Sequence, residues 1–350
     1  MTRVDLTVRG GGIFGLACAF TALRRGAKVR LIEATRIGAG SSGGLVGALA
    51  PHVPENWNPK KQFQLDSLLM AEAFWAEVAR IGGIDPGYRR TGRLQPLPDA
   101  HAVTLARARI AEAATLWQGR ATWSVLPATG TVWEPHSPTG LLIHDSLTAR
   151  LSPRAAGAAL TAAICALGGE VVIGDAPDDG AVLWATGYQG LQDLNAAFGK
   201  TAGAGVKGQS LSLRLPDVNP ALLPQLFADA LHIVPHADGS VAIGSTSENA
   251  WDAPDSVDAA CDTLFERARA ILPILATAQI IDRWAGIRPR AKTRAPMLGP
   301  WPGRPGHFIA NGGFKIGFGM APKVAEVMTN LIMTGNDSAI PPGFRVEANL

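Results

Sequence analysis

The N-terminal segment constrains the fold of this chain more than any other part of the sequence. Residues 4–9 alternate apolar and polar side chains, which predicts a β-strand. Gly10, Gly12 and Gly15 follow in a G-x-G-x-x-G motif, and apolar residues then recur at helical spacing. A second strand pattern ends at Glu33, at the distance beyond the glycines that a βαβ dinucleotide-binding unit requires.

Each part of this pattern has a physical role in dinucleotide binding. Gly10 permits the tight turn, Gly12 lets the backbone approach a pyrophosphate, and Gly15 lets the helix and strand pack closely. The pyrophosphate would lie against N–H groups at the helix N-terminus. Glu33 would accept hydrogen bonds from a ribose diol and repel a 2′-phosphate. The motif by itself does not choose between FAD and NAD.

Composition narrows the class of protein. The chain has 350 residues, of which 47% are hydrophobic and 17% charged, so it can bury a large core and is not expected to be disordered. Three cysteines provide no disulfide framework, and no signal or membrane-spanning segment is visible, which predicts a cytoplasmic protein without a membrane partner. The net charge of +3 comes without a block of basic residues and indicates little about nucleic acid.

A loop of small residues at 38–51 can run its backbone along an extended ligand. With this loop, the chain resembles the FAD-dependent D-amino-acid oxidase superfamily, which includes glycine oxidases and sarcosine oxidases. The resemblance depends on the N-terminal fingerprint and on four further segments: Ser41 to Pro51, Ala185-Thr186-Gly187, Gly286-Ile287-Arg288-Pro289 and Gly312-Gly313-Phe314-Lys315.

The resemblance implies an α/β fold, α+β overall. A doubly wound, Rossmann-type FAD-binding domain would come from residues 1–80, 146–203 and 284–345. An interleaved substrate domain with an antiparallel sheet would come from residues 81–145 and 204–283. Strand patterns at 206–215, 231–235 and 240–246 are consistent with that sheet.

The resemblance also implies the residues that contact the cofactor. They are Gly10, Gly12, Ile13, Phe14, Gly15, Glu33, Ala34, Ser41, Ser42, Gly187, Gly312, Gly313, Phe314, Lys315 and Ile316. Sarcosine oxidases attach their flavin through a cysteine near the position of Arg288 and Pro289. This chain has no cysteine there, so we expect non-covalent FAD.

Two basic residues are the main candidates for substrate binding. Arg288 stands in an apolar strand pattern, where an arginine needs an anionic partner, and its planar group matches a carboxylate. The partner is either the substrate or a structural carboxylate such as Asp282 or Glu33. Lys315 lies in a glycine-rich segment before a predicted helix. In related oxidases the matching arginine and lysine bind the substrate carboxylate.

Two histidines are further candidates for the same site. His52 follows the small-residue loop and is included among the candidate catalytic residues, although a protein base is not required for hydride transfer from a neutral amine. The resemblance places His232 where glycine oxidases have a tyrosine, and we interpret it as a structural histidine with satisfied hydrogen bonds. No metal site is expected, because the histidines and cysteines show no ligand spacing.

Further elements were predicted from periodicity and turn signals. Helices are expected at 65–81, at 103–117, from Pro153 to about Gly168 with Ser152 as N-cap, and at 321–332 with Pro322 in the first turn. Residues 336–350 carry two prolines and little periodicity, so we expect a loosely packed tail.

The favoured function is FAD-dependent oxidation of the C–N bond of a small carboxylated amine, such as glycine, a D-amino acid or an N-alkyl glycine. The electron acceptor would be O2 or an unknown acceptor. The alternative comes from similarity to the FAD domain of the bifunctional tRNA 5-methylaminomethyl-2-thiouridine biosynthesis protein. This hypothesis predicts removal of a carboxymethyl group from a tRNA uridine, with Arg290, Lys292 and Arg294 near the phosphates of the RNA.

Overall fold

The structure, a computed structural model, describes residues 3–350. Seven α-helices form within these residues: α1 (Ile13–Arg24), α2 (Pro59–Gly82), α3 (Ala100–Leu116), α4 (Pro153–Ala166), α5 (Gly187–Phe198), α6 (Ala259–Ile271) and α7 (Gly317–Thr334). The first eight strands are β1 (Leu6–Arg9), β2 (Val29–Glu33), β3 (Ala48–Leu49), β4 (Arg93–Pro96), β5 (Trp123–Pro127), β6 (Leu141–Asp145), β7 (Ala149–Arg150) and β8 (Glu170–Ile173). The others are β9 (Ala181–Trp184), β10 (Gly203–Arg214), β11 (Gln225–Ala228), β12 (Leu231–Pro235), β13 (Ser240–Gly244), β14 (Gln279–Ala291), β15 (Met297–Pro300) and β16 (His307–Asn311).

The first large sheet carries the N-terminal βαβ unit. Its strand order is β15-β16-β9-β1-β2-β8, and all neighbours are parallel except β15 and β16. Helix α1 packs against α4 and α7, and its apolar side chains belong to the main hydrophobic core. Parallel strands buried by helices in this way confirm the predicted Rossmann-type layer.

The second large sheet has the order β14-β10-β13-β12-β11-β4-β6-β5. Its neighbours are antiparallel except β11 and β4, which pair in parallel. Helix α6 and the turn at Pro273–Thr277 bury a separate apolar cluster against this sheet. The chain passes repeatedly between the two sheets, so the layers are interleaved in sequence.

The division into domains stays a prediction, because a domain boundary is a finer statement than sheet membership. Strands of the first sheet fall within 1–80, 146–203 and 284–345, whereas β14 of the second sheet extends across position 284. Any boundary near that position therefore cuts a continuous strand.

Three predicted helices, α2, α3 and α7, begin earlier than their apolar periodicity indicates. Helix α2 begins at Pro59, where the side chain of Asn58 accepts hydrogen bonds from the backbone N–H groups of Lys60 and Lys61, both 3.1 Å. Its first turn is polar, which hides it from a hydrophobic pattern. Helix α7 begins at Gly317, so Pro322 lies inside the helix and not in its first turn.

The expectation of a loosely packed C-terminal tail is wrong. Phe344 is only 2% exposed and packs against Phe63 of α2, with ring centroids 4.9 Å apart. Val346 and Asn349 are fully buried, and Asn349 accepts a hydrogen bond from the backbone N–H of Thr293 at 3.0 Å. Long-range contacts hold this segment, and its local periodicity gives no sign of them.

Candidate active site

The turn between β1 and α1 has the geometry that the glycine motif predicts. Gly10 has φ +110°, and a Cβ there would collide with the carbonyl group of Ala185 in the turn after β9. A Cβ on Gly15 would overlap the carbonyl oxygen of Gly10. Glycine at both positions therefore lets α1 begin directly at the end of β1, with Gly12 as its N-cap residue.

Glu33 closes the βαβ unit at the end of β2. One carboxylate oxygen accepts a hydrogen bond from the backbone N–H of Gly11 at 2.7 Å, and the other accepts one from the N–H of Thr35 at 3.1 Å. These bonds fix the carboxylate beside the glycine turn. Two oxygens can accept about four hydrogen bonds in total, so capacity for a ribose diol remains.

A cleft lies above this turn, and we call it the glycine cleft. Eleven of the predicted cofactor contacts line it: Gly10, Gly12, Ile13, Phe14, Glu33, Ser41, Ser42, Gly187, Gly312, Gly313 and Phe314. Of the other four, Gly15 packs beneath the turn and Lys315 faces the neighbouring cavity, whereas Ala34 and Ile316 lie outside the lining of both. Ser42 ties the small-residue loop to the turn, since its Oγ accepts from the N–H of Ile13 at 3.0 Å.

The glycine cleft fits a dinucleotide. Glycine, serine and alanine make up most of its lining, so an extended ligand would meet many backbone N–H groups there. The N-termini of both α1 and α7 border the cleft, through Gly12 and Gly317, and both favour negative charge. The cleft adjoins a second cavity, because Ile13, Ser41 and Phe314 line both.

The second cavity, which we call the arginine cavity, has a volume of about 310 Å³. It lies between the small-residue loop, the start of α7 and one face of the second sheet. Arg288 of β14 and Lys315 of the loop before α7 both line it, together with His232 of β12. Phe227 and Trp284 supply aromatic walls. The structure thus brings the two predicted carboxylate-binding residues into one cavity beside the predicted cofactor site.

Arg288 is buried with uncharged partners. Its side chain donates to the Ser245 hydroxyl at 2.6 Å and to the Thr246 carbonyl at 3.2 Å, and the residue is 8% exposed. Burial lowers the pKa of Arg288 to about 10, opposed in part by the charge of Glu248. The guanidinium therefore stays charged at neutral pH.

The two structural carboxylates considered for Arg288 are engaged elsewhere. Asp282 pairs with Arg154 of α4, and Glu33 bonds the glycine turn. Within the described chain, Arg288 forms no ion pair with a carboxylate. A buried cation that lacks an anion is costly, so its position in a cavity favours an anionic ligand.

Room for the Arg288 side chain comes from a glycine on the neighbouring strand. A Cβ on Gly208 of β10 would collide with the guanidinium group itself. Neither Gly208 nor Ser245 was predicted from the sequence as a site residue. A glycine inside an alternating strand is a signal of close approach by another group, and it could have drawn attention to this position.

Lys315 lies on the loop between β16 and α7, with its Nζ 5.6 Å from the ring centroid of Phe314. Partial burial lowers the pKa of Lys315, and the positive charges of Arg288 and Arg294 lower it further. The side chain remains exposed to solvent. Two cations therefore line one cavity, and the charge of Arg288 disfavours the charged form of Lys315.

His232 is not the satisfied structural histidine that the sequence suggested. Its Nδ1 is buried without a hydrogen-bond partner in residues 3–350. Burial lowers the pKa of His232 to about 3, with further lowering by the charges of Arg93 and Lys315. The ring packs against Phe227 with a centroid distance of 4.6 Å. The imidazole is therefore neutral across the physiological range.

His52 lies away from both cavities. Its ring Nδ1 and its backbone N–H both bond the side-chain oxygen of Gln64 on α2. Burial lowers the pKa of His52, and Lys60 and Lys61 lower it further, against the opposing effect of the Gln64 bond. His52 is absent from the lining of the glycine cleft and of the arginine cavity, so we leave it out of the proposed site.

The basic segment after Arg288 is largely on the surface. Lys292 and Arg294 are exposed, and the Arg290 guanidinium lies 5.8 Å from the ring centroid of Phe314. None of the helices that the structure describes is long and apolar enough to span a bilayer. Residues 3–350 also hold no group of three or more His, Cys, Asp or Glu side chains arranged for a metal ion.

Comparison with known proteins agrees with this geometry. The sequence profile of the DAO family, described as FAD dependent oxidoreductase, matches residues 5–331. The glycine oxidase of Pseudomonas putida is 27% identical over 97% of this chain and 96% of its own length. Two crystal structures share the fold with a TM-score of 0.84 each. Glycine oxidase from Geobacillus kaustophilus is 23% identical, covering 99% of both chains, and iminodiacetate oxidase from Chelativorans sp. BNC1 is 21% identical, covering 96% of this chain and 97% of that one.

The family match covers most of the chain, including the glycine cleft and the strand that carries Arg288. Its cofactor fits the cleft that the structure shows. The chain belongs to the DAO family of FAD-dependent oxidoreductases.

Proposed function

We propose that this protein oxidises the C–N bond of a small carboxylated amine, in the class of glycine, D-amino acids and N-alkyl glycines. The observation that carries the proposal is Arg288, a buried cation that forms no ion pair with a carboxylate of residues 3–350 and lies in a cavity beside the proposed cofactor site. The names of the relatives, glycine oxidase and iminodiacetate oxidase, support a substrate that has both an amine and a carboxylate.

The residues that line the glycine cleft would hold FAD. Backbone N–H groups around Gly12 would bind its pyrophosphate and Glu33 its adenosine ribose. When bound, FAD supplies the hydride acceptor of the reaction. We propose that attachment is non-covalent, since Cys18, Cys165 and Cys261 are absent from the lining of the cleft and of the arginine cavity.

Arg288 would bind the substrate carboxylate in two parallel hydrogen bonds, and Lys315 would add a second positive charge. The hydrogen bonds from Arg288 to Ser245 and Thr246 orient the guanidinium before substrate binds. Apolar side chains of Leu45, Phe227 and other lining residues reduce contact with water. Low polarity strengthens the attraction between the cations and the carboxylate. The resulting imine would be hydrolysed by water.

The test compares each oxidised amine with its amide, for example glycine with glycinamide, in the variant Arg288→Ala. Loss of a charge-assisted pair should raise the KM for the carboxylated amine roughly 10- to 100-fold. The KM for the amide should change far less. Arg290→Ala is the matched control, because Arg290 follows on the same strand and does not line the cavity. An equal rise in KM for the carboxylated amine and for its amide would contradict the carboxylate-binding role of Arg288.

A further inference from the structure

One row of side chains crosses the face of the second sheet that borders the arginine cavity. Strand register aligns Phe227 with His232, His232 with Gly244, Gly244 with Ser210, and Ser210 with Trp284. Residues directly opposite each other on paired strands project from the same face. All five residues line the arginine cavity, and we call them the floor row.

The floor row is polar at its centre and aromatic at its ends. His232 Nδ1 and Ser210 Oγ are both buried, and neither has a hydrogen-bond partner among the described residues. Gly244 lies between them in the row, and the side chain of Val46 packs directly against it. Buried polar atoms are seldom left unpaired, because each costs about 1–3 kcal/mol. Two such atoms on one cavity wall indicate that a ligand supplies the missing bonds.

The charge of the surroundings restricts what that ligand group can be. Arg288 and Lys315 offer donors only, whereas a neutral imidazole and a hydroxyl can accept. Arg93, held by Asp145 at 3.0 Å, lies 5.5 Å from the ring centroid of Phe227, on which His232 packs. With Arg93 and Lys315 nearby, His232 has positive neighbours that oppose its protonation. The centre of the row is therefore a site for a group that donates N–H bonds.

We propose that His232 and Ser210 form the subsite for the substrate amino group, accepting its N–H hydrogen bonds while Arg288 holds the carboxylate. This inference depends on the proposed function, because it assigns the second end of the same substrate. Arg288 lies on the same strand as Trp284, four residues along, so carboxylate and amine would bind at two separate places on one sheet face. The two subsites would together select substrates that carry both groups.

The experiment measures binding to the FAD-loaded protein by calorimetry with two probes. One is 2-aminoisobutyrate, which has no α-hydrogen and so is not oxidised. The other is pivalate, which has the same shape with a methyl group in place of the amine. His232→Phe and Ser210→Ala should each raise the Kd for 2-aminoisobutyrate roughly fivefold to tenfold. Neither variant should change the Kd for pivalate more than about twofold.

His232→Gln, which keeps a hydrogen-bonding side chain, should recover part of the lost affinity for 2-aminoisobutyrate. Ser212→Ala is the matched control, because Ser212 lies further along β10 and does not line the cavity. The amine subsite would be overturned if His232→Phe and Ser210→Ala weakened the binding of both probes equally, or changed the binding of neither. It would also be overturned if the wild type bound pivalate and did not bind 2-aminoisobutyrate. Arg288→Ala that leaves pivalate binding intact, or a wild type that binds neither probe, would instead count against the carboxylate site of the proposed function.

Discussion

At the scale of single residues, the site is defined by which groups are charged. Arg288 keeps its charge because its pKa, although lowered by burial to about 10, stays well above neutral pH. His232 loses its charge because burial and two cations lower its pKa to about 3. The lining of one cavity thus includes a charged guanidinium, that of Arg288, and a neutral imidazole, that of His232. Such divergent environments are typical of functional sites.

The lowered pKa of His232 predicts how the free energy of unfolding changes with pH. In the unfolded chain a histidine has a pKa near 6.5, whereas in the folded protein that of His232 is about 3. Below pH 6.5 the unfolded state binds a proton that the folded state rejects. The free energy of unfolding should therefore fall as the pH is lowered from 6.5 towards 3, by up to about 1.4 kcal/mol per pH unit from this residue.

Urea unfolding at pH 7.5 and pH 5.5 measures this contribution. The wild type should lose more stability between these values than His232→Phe, in which the group is absent. Other histidines with lowered pKa values, such as His52 and His236, remain in both proteins and cancel in the difference. His101→Phe, at an exposed position outside both cavities, is the control for the replacement of a histidine by phenylalanine. The same loss in wild type and His232→Phe would mean that His232 is not held neutral.

At the scale of elements, the β1–α1 turn borders the glycine cleft. Its close packing predicts the sign of the change in stability when a glycine in α1 is replaced by alanine. Replacing glycine by alanine inside a helix usually stabilises a protein by up to about 1 kcal/mol. Gly15→Ala in α1 should do the opposite, losing about 1–3 kcal/mol and weakening FAD binding, because the new Cβ would overlap the Gly10 carbonyl oxygen. Thermal or urea unfolding of apoprotein and FAD titration would measure both effects.

Gly157 of α4 provides the matched control for Gly15. An added Cβ there would come no closer than 3.6 Å to Ile37, so Gly157→Ala should keep or raise stability. If Gly15→Ala were as stable as Gly157→Ala, the close approach of α1 and β1 would not be needed.

Short sequence motifs predicted the elements whose ends are set by residues close in sequence. The β1–α1–β2 unit and Ser152 as the cap of α4 are present in the structure, with Ser152 Oγ accepting from the N–H of Ala155 at 3.3 Å. The start of α7 was missed because glycines at 317 and 319 lower helix propensity, and packing against α1 compensates for it. The C-terminal segment was missed because its apolar residues are buried by distant parts of the chain.

The same distinction applies to the candidate site. Arg288 and Lys315 stand in short segments that can be recognised in the sequence alone. The floor row could not be predicted, because its residues come from five strands and meet only through cross-strand register. Register is set by the whole sheet and not by any short segment.

At the scale of the whole molecule, function depends on how the two large sheets meet. Strands β1 and β9 of the first large sheet end at the glycine cleft. The second sheet places Arg288 and the floor row in the lining of the adjoining cavity. The small-residue loop and the start of α7 border both spaces. A cofactor in the cleft and a substrate on the sheet would therefore lie side by side, which is what direct transfer between them requires.

The most direct test of this account is an absorption spectrum of the purified protein, followed by anaerobic additions of glycine, sarcosine, D-alanine and D-proline. We predict a flavin spectrum that at least one of these amines bleaches. A flavin band that none of them bleaches would contradict the small-amine substrate and shift attention to the modified-tRNA alternative. A protein that neither carries nor takes up FAD would contradict the cofactor site itself.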